Sequence, residues 1–166
     1  LYAIQLGELN GSRFTLQLIT SVKNSITYLS HLIDPATGHM PVYGSNDGAL
    51  VLPLNNCDFT DYRPLLQLGS IITTGQPMFE PGSWDEDVFW LCGELLTAKN
   101  AKKDLKLSAL SELSGKSFPN GGTYILHNTN SHAILRCTDF TSRPSHADQL
   151  HMDLWMGSDN IAIDAG

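Results

Sequence analysis

The chain has 166 residues, 42% of them hydrophobic, and a formal net charge of −7, which suits one domain or two partial ones built around a real core. The acidic balance excludes a nucleic-acid binder, because such proteins need clustered Lys and Arg to displace counterions from phosphate. Three cysteines, Cys57, Cys92 and Cys137, lack any CxxC spacing, so neither a disulfide framework nor a zinc ribbon is indicated and buried thiols are expected.

The opening "LYAIQLGELNG" reads as the end of a helix. In "SRFTLQLITSVKNSITYLSHLID" the apolar residues Leu18, Val22, Ile26, Leu29 and Ile33 recur at three- and four-residue intervals. That is the stripe of an amphipathic helix, and it predicts one from about Ser12 to Ile33, stopped by Pro35 and Gly38. A turn-rich loop, "GHMPVYGSNDG", follows. The next helix is bracketed by a Thr60 or Asp61 cap, Pro64 in the first turn and Gly75 beyond the end. A third starts in "SWDEDVFWLCGE", with Ser83 and Glu86 spaced as a capping box and Asp85, Glu86 and Asp87 at the positive end of the helix dipole.

Residues 98 to 118 carry most of the lysines and no long apolar stripe, which marks a boundary. Beyond it the period switches to two. "GGTYILHN" and "SHAILRC" read as a hairpin, with Ile125 opposite Ile134, Leu126 opposite Ala133 and apolar residues on both faces, as in a sandwiched layer. "DQLHMDLWM" alternates strictly. Hydrophobicity alone puts Leu150, Met152, Leu154 and Met156 inward and Gln149, His151, Asp153 and Trp155 outward, and "NIAIDAG" returns after a Gly-Ser turn. Helices first and strands afterwards predict an α+β chain of two partial domains, with residues 1–115 helical and 116–166 an antiparallel β segment. The chain shows no charged leader followed by an apolar stretch, and no apolar run of bilayer length, so no membrane partner is expected. The abrupt start and finish read as a piece excised from something longer.

Several side chains are candidates for chemistry. His146 and Asp164 are an imidazole and a carboxylate near the ends of adjacent strands, a donor pair that suits Zn²⁺. The alternative is a surface histidine and a turn aspartate. In a flat hairpin Asp164 falls opposite His151 or Asp153, leaving His146 roughly 16 Å further along, so a metal there requires a bulge or a sharp bend. His127 and His132 face each other across the first hairpin and form a rival pair, read as solvated rim imidazoles without a visible third ligand. Asn46 and Asp47 stand on a Gly-flanked loop where sugar-binding groups are commonly carried, or else make a simple turn. Arg63 and Arg143 can each grip a carboxylate bidentately or serve as surface ion-pair members. Tyr43, Tyr62, Trp84, Trp90 and Trp155 can stack on sugar rings or fill the core. Neither a nucleophile elbow nor a P-loop nor a dinucleotide fingerprint is present.

"NDGALVLPLNNCDFTDYRPLLQ", "WDEDVFWLCG" and above all "RPSHADQLHMDLW" followed by "IAIDAG" resemble bacterial heparinase II/III-like proteins, polysaccharide lyases with an (α/α) toroid followed by an antiparallel β-sandwich. The resemblance implies that this chain spans the last toroid helices and the first sandwich strands. It implies β-elimination on a uronic-acid polysaccharide, an acidic polysaccharide as partner, and a periplasmic or secreted address. It also implies a structural zinc on His146 and Asp164, with a third ligand beyond Gly166. The acid and base residues are expected upstream of Leu1, so the chain alone is expected to be inactive. Some relatives have a catalytic His two residues before the zinc His; here that place is Pro144. Asn46, Asp47, Arg63 and Arg143 are cleft candidates by position. A glycan-binding sandwich without activity and a toroid-type hydrolase using two carboxylates are the competing functions.

Overall fold

The computed structural model describes residues 1–42, 50–93, 114–143 and 149–163. The chain is α+β, as expected: four α-helices come first and a five-stranded antiparallel sheet follows. Two compact units share the chain, one drawing on Leu1–Ser30 and Leu50–Leu105, the other on His31–Ala49 and Lys106–Gly166. The return of residues 31–49 to the unit of the sheet is a feature that the order of elements alone does not reveal.

In the first unit, α1 spans Tyr2–Leu9 and α2 spans Leu16–Leu29. The Thr15 hydroxyl accepts the Leu18 N–H at 3.4 Å, an N-cap that starts α2 four residues later than the apolar stripe suggests. It also ends earlier. Leu32 and Ile33 are buried in the other unit, so two residues of the sheet's core happened to continue the helical period. α3 runs Arg63–Thr74 within the expected brackets. The Asp61 carboxylate accepts the Arg63 N–H at 2.9 Å, Pro64 lies in the first turn, and Gly75 ends the helix in the left-handed conformation with φ 71°. α4, Glu86–Cys92, follows a 3₁₀ turn at Ser83–Asp85. The expected Ser83/Glu86 box is not what forms. Asp85 reaches back to the Gly82 N–H at 3.0 Å instead, and Ser83 Oγ contacts Cys57 Sγ at 3.6 Å. The core of this unit is Ile4, Ile26, Leu66, Leu68 and Val88, with Gln67 wholly buried among them.

The sheet of the second unit is a meander, β1 (Ser114–Phe118), β2 (Thr123–His127), β3 (Ser131–Arg136), β4 (His151–Met156) and β5 (Asp159–Ala162). The hairpin register matches the expectation, with Ile125 opposite Ile134 and Leu126 opposite Ala133. The facing of β4 does not. Asp153 and Trp155 are 0% and 3% exposed, whereas Met152 and Met156 are 48% and 52% exposed. The reason lies in the pairing. Asp153 stands opposite Ile134 and Trp155 opposite His132, and Ile125 and Ile134 belong to the buried face, so the pleat carries every second residue of β4 inward with them. The other face presents Tyr124, Leu126, Leu135, Met152 and Met156 to solvent. Among the described residues the strands form this one sheet.

Two irregularities bend the last hairpin. Leu150, just before β4, has φ 57°, a left-handed conformation costly for a side chain with a Cβ. A register shift between Leu154 and Trp155 makes a bulge against β5. The thiols are less buried than expected: Cys57 and Cys92 are half-buried and Cys137 is exposed. No described helix is long and apolar enough to cross a membrane.

Candidate functional site

The buried face of the sheet is where polar groups gather. His151 and Asp153 are two residues apart on β4, a spacing that puts both on one side of a strand. His151 Nε2 lies 3.1 Å from Asp153 Oδ2, and Asn160 on β5 donates its Nδ2–H to Asp153 Oδ1 at 3.2 Å. With the carboxylate ionised it can only accept, and Nε2 of His151 is then the donor of that contact. The His151 side chain is 21% exposed while Asp153 is fully enclosed, so the imidazole is the part of the pair that reaches outward.

Next to them a row of rings crosses three strands. His127 and His132 are opposite each other with ring centroids 5.5 Å apart, and His132 stacks on Trp155 at 5.4 Å and 10°. These imidazoles are not solvated rim groups, contrary to expectation. Burial pushes His132 down to about 4, with His127 adding to the effect and Asp34 opposing it. His127 is lowered too, by burial first and then by His31. His132 Nε2, Trp155 Nε1 and Asn160 Oδ1 are buried without a hydrogen-bond partner among the described residues. As a metal site the pair lacks support: no group of three metal-capable side chains occurs among the described residues.

The neutral pair has a pH signature. The folded-state value of His132 lies below the ordinary 6.5, so its share of stability is intact above pH 6.5 and is lost as pH falls from there through about 4. The gap corresponds to about 3 kcal/mol at most, and screening of a partly exposed ring reduces this to roughly 1–2 kcal/mol. Urea unfolding at pH 7 and at pH 4.5 measures it. His132→Phe keeps the stacked ring, and its stability should fall less over this interval than that of the wild type; equal falls would remove His132 from the acid response.

Of the residues singled out from sequence, Asn46, Asp47, His146 and Asp164 lie outside the described residues. Arg63 has partners within its own unit. Its guanidinium pairs with Asp61, Nη2 to Oδ2 at 2.7 Å and Nε to Oδ1 at 2.9 Å, and lies 4.3 Å from the Trp84 ring centroid. An ion pair and a cation–π contact thus hold the guanidinium. Arg143 is exposed. In the same helical unit Asp87 is buried, which raises its carboxyl above the usual range despite the Asn55 amide at 2.8 Å; Glu86 raises it further. The pairing of His151, Asp153 and Asn160 was missed. Its signal was the His-x-Asp spacing on a strand, passed over because hydrophobicity assigned that face to solvent.

No curated protein and no solved structure matches the chain. A family model described as Heparinase II/III-like, C-terminal, matches residues 112–166, which contain the whole sheet and both of its hairpin irregularities. The sheet-bearing segment of this chain, residues 112–166, therefore belongs to the heparinase II/III-like C-terminal family.

Proposed function

We propose that this chain is part of a polysaccharide lyase that cleaves a uronic-acid polymer by β-elimination in the periplasm or outside the cell. The family of the sheet-bearing segment is the observation that carries this reading. In such a reaction a base removes the proton at C5, next to the carboxylate. The C–H electron pair becomes the C4=C5 double bond, and the C4–oxygen bond breaks as an acid protonates the departing oxygen. Holding the uronate carboxylate against a cation lowers the cost of the negative charge that develops. Arg143 is the proposed cation, and Asn46 and Asp47 are proposed to line the sugar path.

Zinc belongs to the same proposal. His146 and Asp164 offer nitrogen and oxygen donors of the kind Zn²⁺ accepts. The left-handed Leu150 and the bulge at Leu154/Trp155 are bends in the hairpin that joins the two, of the sort a shared ion requires. The ion would act structurally, tying one strand to its neighbour.

The test is to incubate the full-length protein and this chain alone with a panel of uronate polymers and to follow ultraviolet absorbance of the unsaturated product. Absorbance growth with the full-length protein and none with the chain alone is the expected result. New reducing ends without a chromophore would make it a hydrolase, and retention of intact polymer would make it a binding module. Either result replaces the lyase reading.

A further inference from the structure

We propose that residues 31–42 are a proton-operated strap: packed on the inward face of the sheet at neutral pH, they lift from it when the His127/His132 pair takes up protons, while the sheet itself stays folded.

The strap belongs to the unit of the sheet and reaches it through side chains. The His31 ring meets Phe118 of β1 edge-on, with centroids 5.5 Å apart, and Leu32, Ile33 and Asp34 are all buried. Asp34 keeps its polar groups inside the strap. Its carboxylate accepts the Thr37 N–H at 3.0 Å and the Thr37 hydroxyl at 2.5 Å. Its N–H donates to the His39 carbonyl at 2.9 Å, and its own carbonyl accepts the Gly38 N–H at 2.8 Å. Residues 34–39 thus form a loop closed on itself, which can leave the sheet as one piece.

The two imidazoles share the inward face with Ile125 and Ile134, two residues along each strand. They feel the strap directly, His127 through His31 and His132 through Asp34. His132 Nε2 is buried without a hydrogen-bond partner, so a proton arriving there finds no acceptor. The other charged groups on this face nearby are Asp153, two residues before Trp155 on β4, and Lys116, opposite Ile125 on β1. Asp153 is held by His151 and Asn160, and the Lys116 ammonium lies 5.8 Å from the Phe118 ring centroid.

Burial outweighs the one favourable charge. Burial acts on His132 most strongly, His127 adds to it, and Asp34 opposes both, with a carboxylate already shared between two Thr37 donors. A second imidazolium 5.5 Å from the first adds repulsion. Water can reach both rings if the strap moves; the alternative is to part β2 from β3, which pair without interruption from Thr123/Arg136 to His127/His132. The stack of His132 on Trp155 tolerates a cation, so the charged ring remains with the sheet and the strap is the part that gives.

The sign follows from the two forms. Packed down, the strap holds His132 at about 4; lifted, it returns the ring to the ordinary 6.5. The strap is therefore secure above pH 6.5 and opens more readily as pH falls from there towards 4. Between about pH 7 and pH 4.5 the full gap favours opening by about 50-fold, and screening of a partly exposed ring reduces this to roughly tenfold.

Hydrogen exchange of the full-length protein at pH 7 and pH 4.5, read by mass spectrometry and corrected for the intrinsic pH dependence of amide exchange, tests the strap. Protection of residues 31–42 should fall roughly tenfold, while that of residues 123–136 changes less than about twofold. His132→Phe keeps a ring against Trp155 but removes the proton site, and most of the fall should vanish with it. Protection of residues 31–42 that is indifferent to pH, or that falls by the same factor as residues 123–136, overturns the proposal. An undiminished fall in His132→Phe overturns it too, and the wild-type comparison decides alone if that variant does not fold.

Discussion

Gln67→Leu is expected to destabilise the helical unit by about 3–6 kcal/mol, although the two side chains have nearly the same volume. Gln67 is wholly buried on α3 and makes four hydrogen bonds. Its Oε1 accepts the Met78 and Phe79 N–H groups at 2.8 and 2.9 Å, and its Nε2 donates to Asp85 Oδ1 at 2.6 Å and to the Phe79 carbonyl at 3.3 Å. Leucine leaves two backbone donors without partners, and each orphaned buried group costs about 1–3 kcal/mol. The carboxylate of Asp85 loses its shortest contact as well and keeps only the Gly82 N–H of the two bonds described here. A loss of this size is a large share of the 5–15 kcal/mol typical of a domain. Urea denaturation followed by circular dichroism measures it, and a difference below about 1 kcal/mol would mean that the segment after α3 finds other partners.

Gly122→Ala should cost about 3 kcal/mol or more in the sheet unit. Gly122 has φ 63°, and a Cβ there would lie 2.2 Å from the Cys137 carbonyl oxygen and 2.5 Å from Thr138 Cα. The left-handed conformation alone costs a residue with a Cβ about 1–2 kcal/mol. The rest is collision with backbone that cannot retreat, because the Cys137 N–H is bound to the Gly122 carbonyl at 2.7 Å. Thermal unfolding should show a drop of several degrees or more. An unchanged melting temperature would show that the turn between β1 and β2 relaxes around the methyl group.

Both positions show what a single sequence conveys. The ends of α3 were legible because Pro64 and Gly75 act locally, through fixed φ and through tolerance of positive φ. The β2–β3 register was legible because a short turn fixes it. The facing of β4 was not, since hydrophobicity ranks Met152 above Asp153 and has no knowledge of Asn160, seven residues on, or of His151 closing on that carboxylate. The role of Gln67 was likewise invisible, because its partners are backbone groups of residues 78 and 79 and the carboxylate of Asp85. Of the site, the individual histidines and aspartates were visible, but the burial that joins His151 to Asp153 and keeps His132 neutral was not. Burial is set by which strands become neighbours.

The interleaving of the two units has a consequence for the order in which the chain folds. Residues 31–49 belong with the sheet, yet residues 50–105, which belong to the helical unit, intervene before any strand is made. During synthesis from the amino terminus, the helical unit can complete its own contacts first. Leu32 and Ile33 must wait for partners more than eighty residues later, a long loop whose closure entropy is paid late. The meander itself joins only sequential strands, so it can assemble hairpin by hairpin. Capture of the waiting segment by the finished sheet is then the slow, concluding event of folding, and a truncated or stalled chain exposes that apolar stretch for as long as the sheet is missing.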